Sequence, residues 1–264
     1  MCYTEGMKAT YICFEGSEGV GKTTQVTETV NYLRSQGFKV LETKEPGTIH
    51  SPLTMALRRL MLDSKYEDAS KSEELKQDLV AVLGNSEYQA HLTAKSQELL
   101  SKAAQIVGQE KQMTKESREL ICQAIRHIHI NKVIIPASKE YDFIIQDRGI
   151  LSGLAYGVAG GVDQTFMDDL NTLSVAELLK GSRDCYDHVI LLQANVANGL
   201  KRALSAKQEF ESGDVMEKRG VSYLEKVNSN FSQFAQEFSG VICLAVEGKT
   251  IPEVQDMIRK VLKV

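Results

Sequence analysis

The chain has 264 residues, of which 42% are hydrophobic and 25% charged. These are the proportions of an ordinary globular protein, which excludes wholesale disorder and suits one α/β domain with an insertion. Thirty-one Lys and Arg against 35 Asp and Glu give a net charge of −4, which argues against a coat for duplex DNA but leaves room for a local basic pocket. No run of 18 apolar residues is present, so no membrane-spanning helix is expected. The polar opening of residues 1–10 lacks the apolar stretch of a signal peptide. Five scattered cysteines (Cys2, Cys13, Cys122, Cys185 and Cys243) show no C-x-x-C spacing, which fits a reducing cytoplasm better than a disulfide framework or a zinc site.

Taken in chain order, five short apolar runs read as strands: residues 10–14, 39–41, 141–145, 188–192 and 241–246. Their nearly continuous aliphatic content, without clean alternation, predicts strands buried on both faces of a parallel sheet. Helical patterns lie between them. Val26, Val30 and Leu33 fall at i, i+4 and i+7, and Gly37 stands where a helix commonly ends. Strands alternating with helices predict a three-layer α/β fold with a five-stranded parallel sheet. Residues 63–117 differ, being rich in Lys, Glu, Gln, Ser and Ala. They read as a helical insertion, with helices over 72–83 and 87–107 and one aliphatic stripe (Leu75, Leu79, Val82, Leu92, Leu99, Leu100, Ile106). The stripe is expected to need a partner surface and the segment to be dispensable for chemistry.

The first strand runs into Gly16-Ser17-Glu18-Gly19-Val20-Gly21-Lys22-Thr23, a full G-x-x-x-x-G-K-[ST] match that opens a helix. Glycines let successive backbone N–H groups converge on phosphate oxygens, and the helix N-terminus adds partial positive charge. Lys22 is expected to reach the β and γ phosphates of a nucleoside triphosphate, and the Thr23 hydroxyl to ligate Mg²⁺. Gly16 to Thr24 is therefore the candidate ATP site. A phosphate loop alone does not separate small-molecule kinases from GTPases, motors or regulatory ATPases.

Further segments make the reading specific. Residues 14–24 resemble the opening of thymidylate kinases, within the P-loop nucleoside monophosphate kinase fold. Thr43-Lys44-Glu45-Pro46-Gly47 is similar to that family's T-R-E-P-G element, and Leu57-Arg58-Arg59-Leu60-Met61-Leu62 to the I-R-x-L-L-L helix after it. Leu120-Ile121-Cys122-Gln123-Ala124-Ile125-Arg126 resembles L-L-F-x-A-x-R. Asp147-Arg148 with Ser152 to Tyr156 resembles D-R-Y-x-x-S-x-x-A-Y. Asp214 to Glu217, then Tyr223, Lys226, Val227 and Phe231, resemble the lid, placed at residues 200–220, and the helix behind it.

The resemblance implies ATP-dependent phosphorylation of dTMP to dTDP in a cytoplasmic enzyme whose partners are nucleotides, with no nucleic acid or membrane, and which forms a possible homodimer. It implies that Arg148 and Arg58 bind the acceptor phosphate and that Asp147 orients the Mg²⁺ water or the arginine. It places Glu18 near the ribose 3′-hydroxyl, Tyr156 at the 2′ side and Arg126 at the acceptor base. The phosphate loop carries Glu18 and no arginine, which implies a catalytic cation in the lid, with Lys207 and Arg202 the candidates. The chemistry agrees, because joining two polyanions needs cations on both sides and little general-base help.

Four departures stand out. Cys122 replaces the aromatic expected to stack on the base, Lys44 an arginine, Gly149 the tyrosine after Asp-Arg, and Val215 the lid arginine. The small Cys122 predicts a wider pocket and some activity on a second deoxynucleotide, unless His129 or Tyr88 fills the gap. The alternatives are a kinase for several deoxynucleoside monophosphates, a non-catalytic nucleotide sensor, and a nucleoside kinase. The last would need a carboxylate base for a sugar hydroxyl.

Overall fold

The five apolar runs form one parallel sheet in the order β2-β3-β1-β4-β5, from β1 (Thr10–Glu15), β2 (Val40–Lys44), β3 (Phe143–Asp147), β4 (His188–Gln193) and β5 (Val241–Ala245). A computed structural model describes residues 9–110, 112–176, 178, 185–205 and 215–263. Period-two side-chain alternation splits the strand residues between two cores. Ile12, Phe14, Ile145 and Ile190 pack with Val26, Val30 and Leu33 of α1 (Lys22–Ser35) and with Val254 and Ile258 of the last helix. Tyr11, Cys13, Ile144 and Leu191 face the other way, onto Leu154, Val227 and Phe231. Both faces are covered, which is why the strands read as continuous apolar runs and not as alternating ones.

Between β2 and β3 run α2 (Pro52–Leu62), α3 (Ser72–Gly84), α4 (Ser86–Gln89), α5 (Ala94–Glu110), α6 (Lys115–His129) and α7 (Ile135–Ala137). Two further helices, α8 (Ile150–Ala159) and α9 (Gln164–Ser174), lead towards β4. The rest of the chain carries α10 (Val196–Ser205), α11 (Val215–Lys218), α12 (Gly220–Phe234) and, after β5, α13 (Ile251–Leu262). No helix of the described residues is long and apolar enough to cross a membrane.

The expectation that the stripe of residues 63–117 needs a partner surface is corrected. Leu75 and Leu79 of α3 and Leu99, Leu100, Ala103 and Val107 of α5 are buried with Leu53 and Leu57 of α2 and Ile121 and Ile125 of α6. The chain covers this stripe itself, and in doing so holds α2 and α6, which carry Arg58, Cys122 and Arg126. Replacing the segment with a short linker would therefore expose the core behind two site helices. Leu99→Ala should cost about 2–5 kcal/mol, the usual range for a cavity left by a core leucine. Urea unfolding checks this, and a loss under about 1 kcal/mol would show the segment to be loosely docked.

Candidate active site

The C-terminal ends of the parallel strands lie together, where ligands bind in open α/β sheets. They open onto a cleft of about 1000 Å³ lined by residues from the phosphate loop, α2, α6, α8, α10 and the turn before α13. The phosphate loop leaves β1 at Gly16, whose φ is +140°, and passes Gly19 at φ +66°. A Cβ on Gly19 would run into the backbone of Gly199 in α10, so only glycine fits that crossing. Gly21 enters α1 at φ +96°, which turns the first helical N–H groups towards the cleft.

Lys22 is buried, and its Nζ donates to the Ser17 carbonyl at 2.7 Å. Burial pulls its pKa down to about 8 and Arg148 adds to this, while Glu18, Asp147 and Glu15 oppose it. The Thr23 hydroxyl donates to Asp147 Oδ2 at 2.7 Å. Asp147 Oδ1 is buried without a hydrogen-bond partner, an arrangement that suits a cation. Magnesium is commonly held by one or two protein oxygens plus phosphates, so Thr23 and Asp147 fit the expected metal position.

Arg148 adopts φ +66°, a left-handed conformation uncommon outside glycine and frequent at functional sites. Its Nη2 donates to Glu18 Oε1 at 2.6 Å, and its Nη1 to Gly16 O and Ser152 Oγ at 3.2 Å each. The guanidinium also lies 5.2 Å from the Tyr156 ring centre, and the Tyr156 hydroxyl donates to Glu18 Oε1 at 3.2 Å. Burial alone would raise the Glu18 pKa, but Arg148, Lys22 and Tyr156 hold it below the usual carboxylate range. The sequence candidates Glu18, Arg148 and Tyr156 thus form one connected group. Arg58 lines the same cleft, with Nη1 donating to Pro46 O at 2.8 Å.

Arg126 is held from several sides. It is fully buried, and its Nε donates to Glu45 at 2.7 Å. Its Nη1 donates to Gln123 and Asn171, and its Nη2 to Gly149 O at 3.0 Å. Four of the five N–H groups a guanidinium carries are thus engaged, although Arg126 still lines the cleft beside Cys122. Neither His129 nor Tyr88 fills the space at Cys122. His129 bonds Thr43 at 2.8 Å inside the core, Tyr88 packs against the α2/α3/α5/α6 cluster, and neither lines the cleft. Lys207 and Asp214 lie outside the described residues. Arg202 is described, and its Nε donates to Gly19 O at 2.8 Å.

Several contributors were not singled out in the sequence. Glu15, buried under the loop, accepts from Ser152 Oγ at 2.5 Å and from the Gly149 amide at 2.9 Å, tying β1 to the start of α8. Burial raises its pKa although Ser152, Arg148 and Lys22 stabilise its charge. Its place directly after an apolar run and before Gly16 was the available signal. Glu45 holds Arg126, and Arg118 and Glu119 line the same cleft. Val246, Glu247, Gly248, Lys249 and Ile251 line the far end, beside Arg202.

A phosphate loop facing a second group of arginines across one cleft, at the C-terminal edge of a five-stranded parallel sheet, defines a P-loop kinase of the nucleoside monophosphate class. The family model of thymidylate kinases matches residues 14–76 and 73–258. The chain belongs to the thymidylate kinase family, which transfers phosphoryl groups from ATP with Mg²⁺. It is 25% identical to a thymidylate kinase of Caldicellulosiruptor saccharolyticus, over 97% of each chain. To one of Teredinibacter turnerae it is 27% identical, covering 97% of this chain and 98% of the relative. Its fold matches the crystal structure of the Ehrlichia chaffeensis thymidylate kinase at a TM-score of 0.59 and 19% identity, covering 98% of this chain and all of that one.

Proposed function

We propose that the chain transfers the γ-phosphoryl group of ATP to the phosphate of dTMP, giving ADP and dTDP. The observation that carries this is the placement of Lys22, Thr23 and Asp147 in one cleft with Arg58, Arg148 and Tyr156. In this reading the amides of Gly16 to Thr24 hold the donor phosphates. Lys22 neutralises charge between the β and γ groups. Thr23 and Asp147 would hold Mg²⁺, which would supply positive charge to offset that of the transferring phosphates. Arg148 and Arg58 align the acceptor phosphate, already a nucleophile, so positioning and charge supply the catalysis. Glu18 and Tyr156 sit at the sugar, and Arg126 and Cys122 at the base. Lys207 is proposed as the lid cation, with Arg202 the described basic residue nearest that role. We place the enzyme in the cytoplasm, acting on nucleotides and not on nucleic acid or membranes. A homodimer remains part of this proposal, formed through surfaces other than the covered stripe.

Coupled ADP release with a panel of nucleosides and nucleoside monophosphates tests the reading. dTMP should support turnover and thymidine should not, because the cleft supplies cations for a charged acceptor. Turnover with thymidine in place of dTMP would contradict it. At the base, Cys122→Phe should lower KM for dTMP by about tenfold, since an aromatic–base stack is worth about 1–3 kcal/mol. An inactive but folded Cys122→Phe enzyme would show that the space is already needed by the base.

A further inference from the structure

We infer that Glu119 determines base specificity in the acceptor pocket, its carboxyl selecting bases that present a ring N–H over bases that present a ring lone pair; the inference rests on the phosphotransfer reading above. Glu119 stands on α6 one turn before Cys122 and two turns before Arg126. It is 7% exposed, and it lines the same cleft as Arg58, Cys122 and Tyr156. Among the described residues its carboxyl forms no hydrogen bond. A carboxyl on the cleft wall with no protein donor is open to a ligand, and this one borders the space where an acceptor base would enter.

The surroundings keep that carboxyl available. Gly157 of α8 has no side chain, and a Cβ there would lie 3.4 Å from the Glu119 carboxyl carbon and 2.8 Å from Met167 Cε. A larger residue at 157 would therefore crowd Glu119. The neighbouring Arg118 turns its Nη1 to the Met61 carbonyl, and its Nη2 lies 3.7 Å from Glu67. Arg126 has most of its donors committed to Glu45, Gln123, Asn171 and Gly149. The Cys122 thiol is pushed up to about 12 by burial, so it stays neutral and is a weak hydrogen-bonding group. Of the described groups along this wall of α6, Glu119 is the one whose acceptor capacity no described side chain takes up.

An ionised carboxylate accepts hydrogen bonds and donates none. Aimed at the ring position, it accepts from the ring N–H of thymine, uracil or guanine, whereas cytosine and adenine present a ring lone pair there and repel it, their donor being the exocyclic amino group beside it. A protonated carboxyl has one donor and one acceptor and adapts to either kind. The charged and titratable groups around Glu119 are Arg118, Cys122 and Arg126 on α6, and Arg219 and Tyr223 at the start of α12. The packed faces of α8 and α9 present Gly157 and Met167. Burial raises its pKa to about 7, against the pull of Arg118, Arg126 and Arg219. The carboxyl is therefore neutral below that pH and ionised above it, so discrimination strengthens as pH rises.

The test is kcat/KM for dTMP and dCMP at pH 6 and pH 8. Taking the ratio of the two substrates cancels titrations, such as that of Lys22, that act on both alike. In the wild-type enzyme the dTMP-to-dCMP ratio should rise about tenfold or more between these pH values, the size of one hydrogen bond to a charged group. Glu119→Gln, which keeps shape and carries a donor and an acceptor at every pH, should give a ratio that does not change with pH. Glu119→Leu should raise KM for dTMP about tenfold while leaving kcat within threefold. A pH-dependent ratio that persists in Glu119→Gln, or Glu119→Leu with unchanged KM and ratio, would overturn the assignment and leave the kinase reading intact. Absence of dTMP turnover by the wild-type enzyme at both pH values would overturn both.

Discussion

Lys22→Ala should lose about 10²–10³-fold in kcat with its fold intact. The lysine is held at the base of the loop, its Nζ within 2.7 Å of the Ser17 carbonyl, where phosphate oxygens are expected to converge. A preorganised cation aimed at developing charge is worth about 2.7–4 kcal/mol in a site shielded from water. Alanine removes that charge and leaves the glycine turns of the loop untouched, so circular dichroism and unfolding should be near native. The measurement is initial rate at saturating Mg-ATP and dTMP. A variant keeping more than a tenth of wild-type turnover would remove Lys22 from the chemistry.

Arg148 carries the second large effect. Its guanidinium spans Glu18, Gly16 O and Ser152 Oγ at once, a planar fork that a lysine ammonium cannot copy. Arg148→Lys and Arg148→Ala should therefore both lower kcat/KM for dTMP by about a hundredfold, the worth of two charge-assisted hydrogen bonds. KM for ATP should change little. Loss of the arginine also leaves Glu18 with Tyr156 as its remaining hydrogen-bond donor among the described side chains, so the sugar contacts should loosen along with the phosphate contacts. A lysine variant with native kcat/KM for dTMP would place Arg148 outside the acceptor site.

What the sequence made legible follows from how local each signal is. The phosphate loop is a contiguous motif whose glycines each answer a backbone demand, so Gly16 to Thr24 could be read directly. The strands were legible because both faces of the sheet are covered, and their edges shifted by only one to three residues. The helices of residues 63–117 were less well placed. The second was expected over 87–107 and spans Ala94–Glu110, because Thr93 accepts from the Ser96 amide at 3.1 Å and sets its start. Before it, Asn85 caps the separate short turn Ser86–Gln89. Both caps are visible in the sequence to a reader looking for side-chain oxygens ahead of a helix.

Which surface the insertion covers was not legible. A stripe of leucines states that burial is needed, not against what, and the answer depends on where α2 and α6 lie in the folded chain. Glu119 was missed for a related reason. A charged residue in an amphipathic helix reads as solvated, yet α6 is buried nearly all round, with polar groups facing a cleft or another polar side chain. Arg126 shows the converse. Its position matched a motif, but its commitment to Glu45, Asn171 and Gly149 involves residues distant in sequence.

The most direct test of the central claim follows the phosphoryl group itself. ATP labelled at the γ position is incubated with enzyme, Mg²⁺ and dTMP, and the products are separated and identified by mass. The cleft described here predicts label in dTDP, one equivalent for each ADP released, and its loss when dTMP is replaced by thymidine. Label appearing as free phosphate at the same rate with or without dTMP would contradict a kinase and identify a nucleotide hydrolase instead.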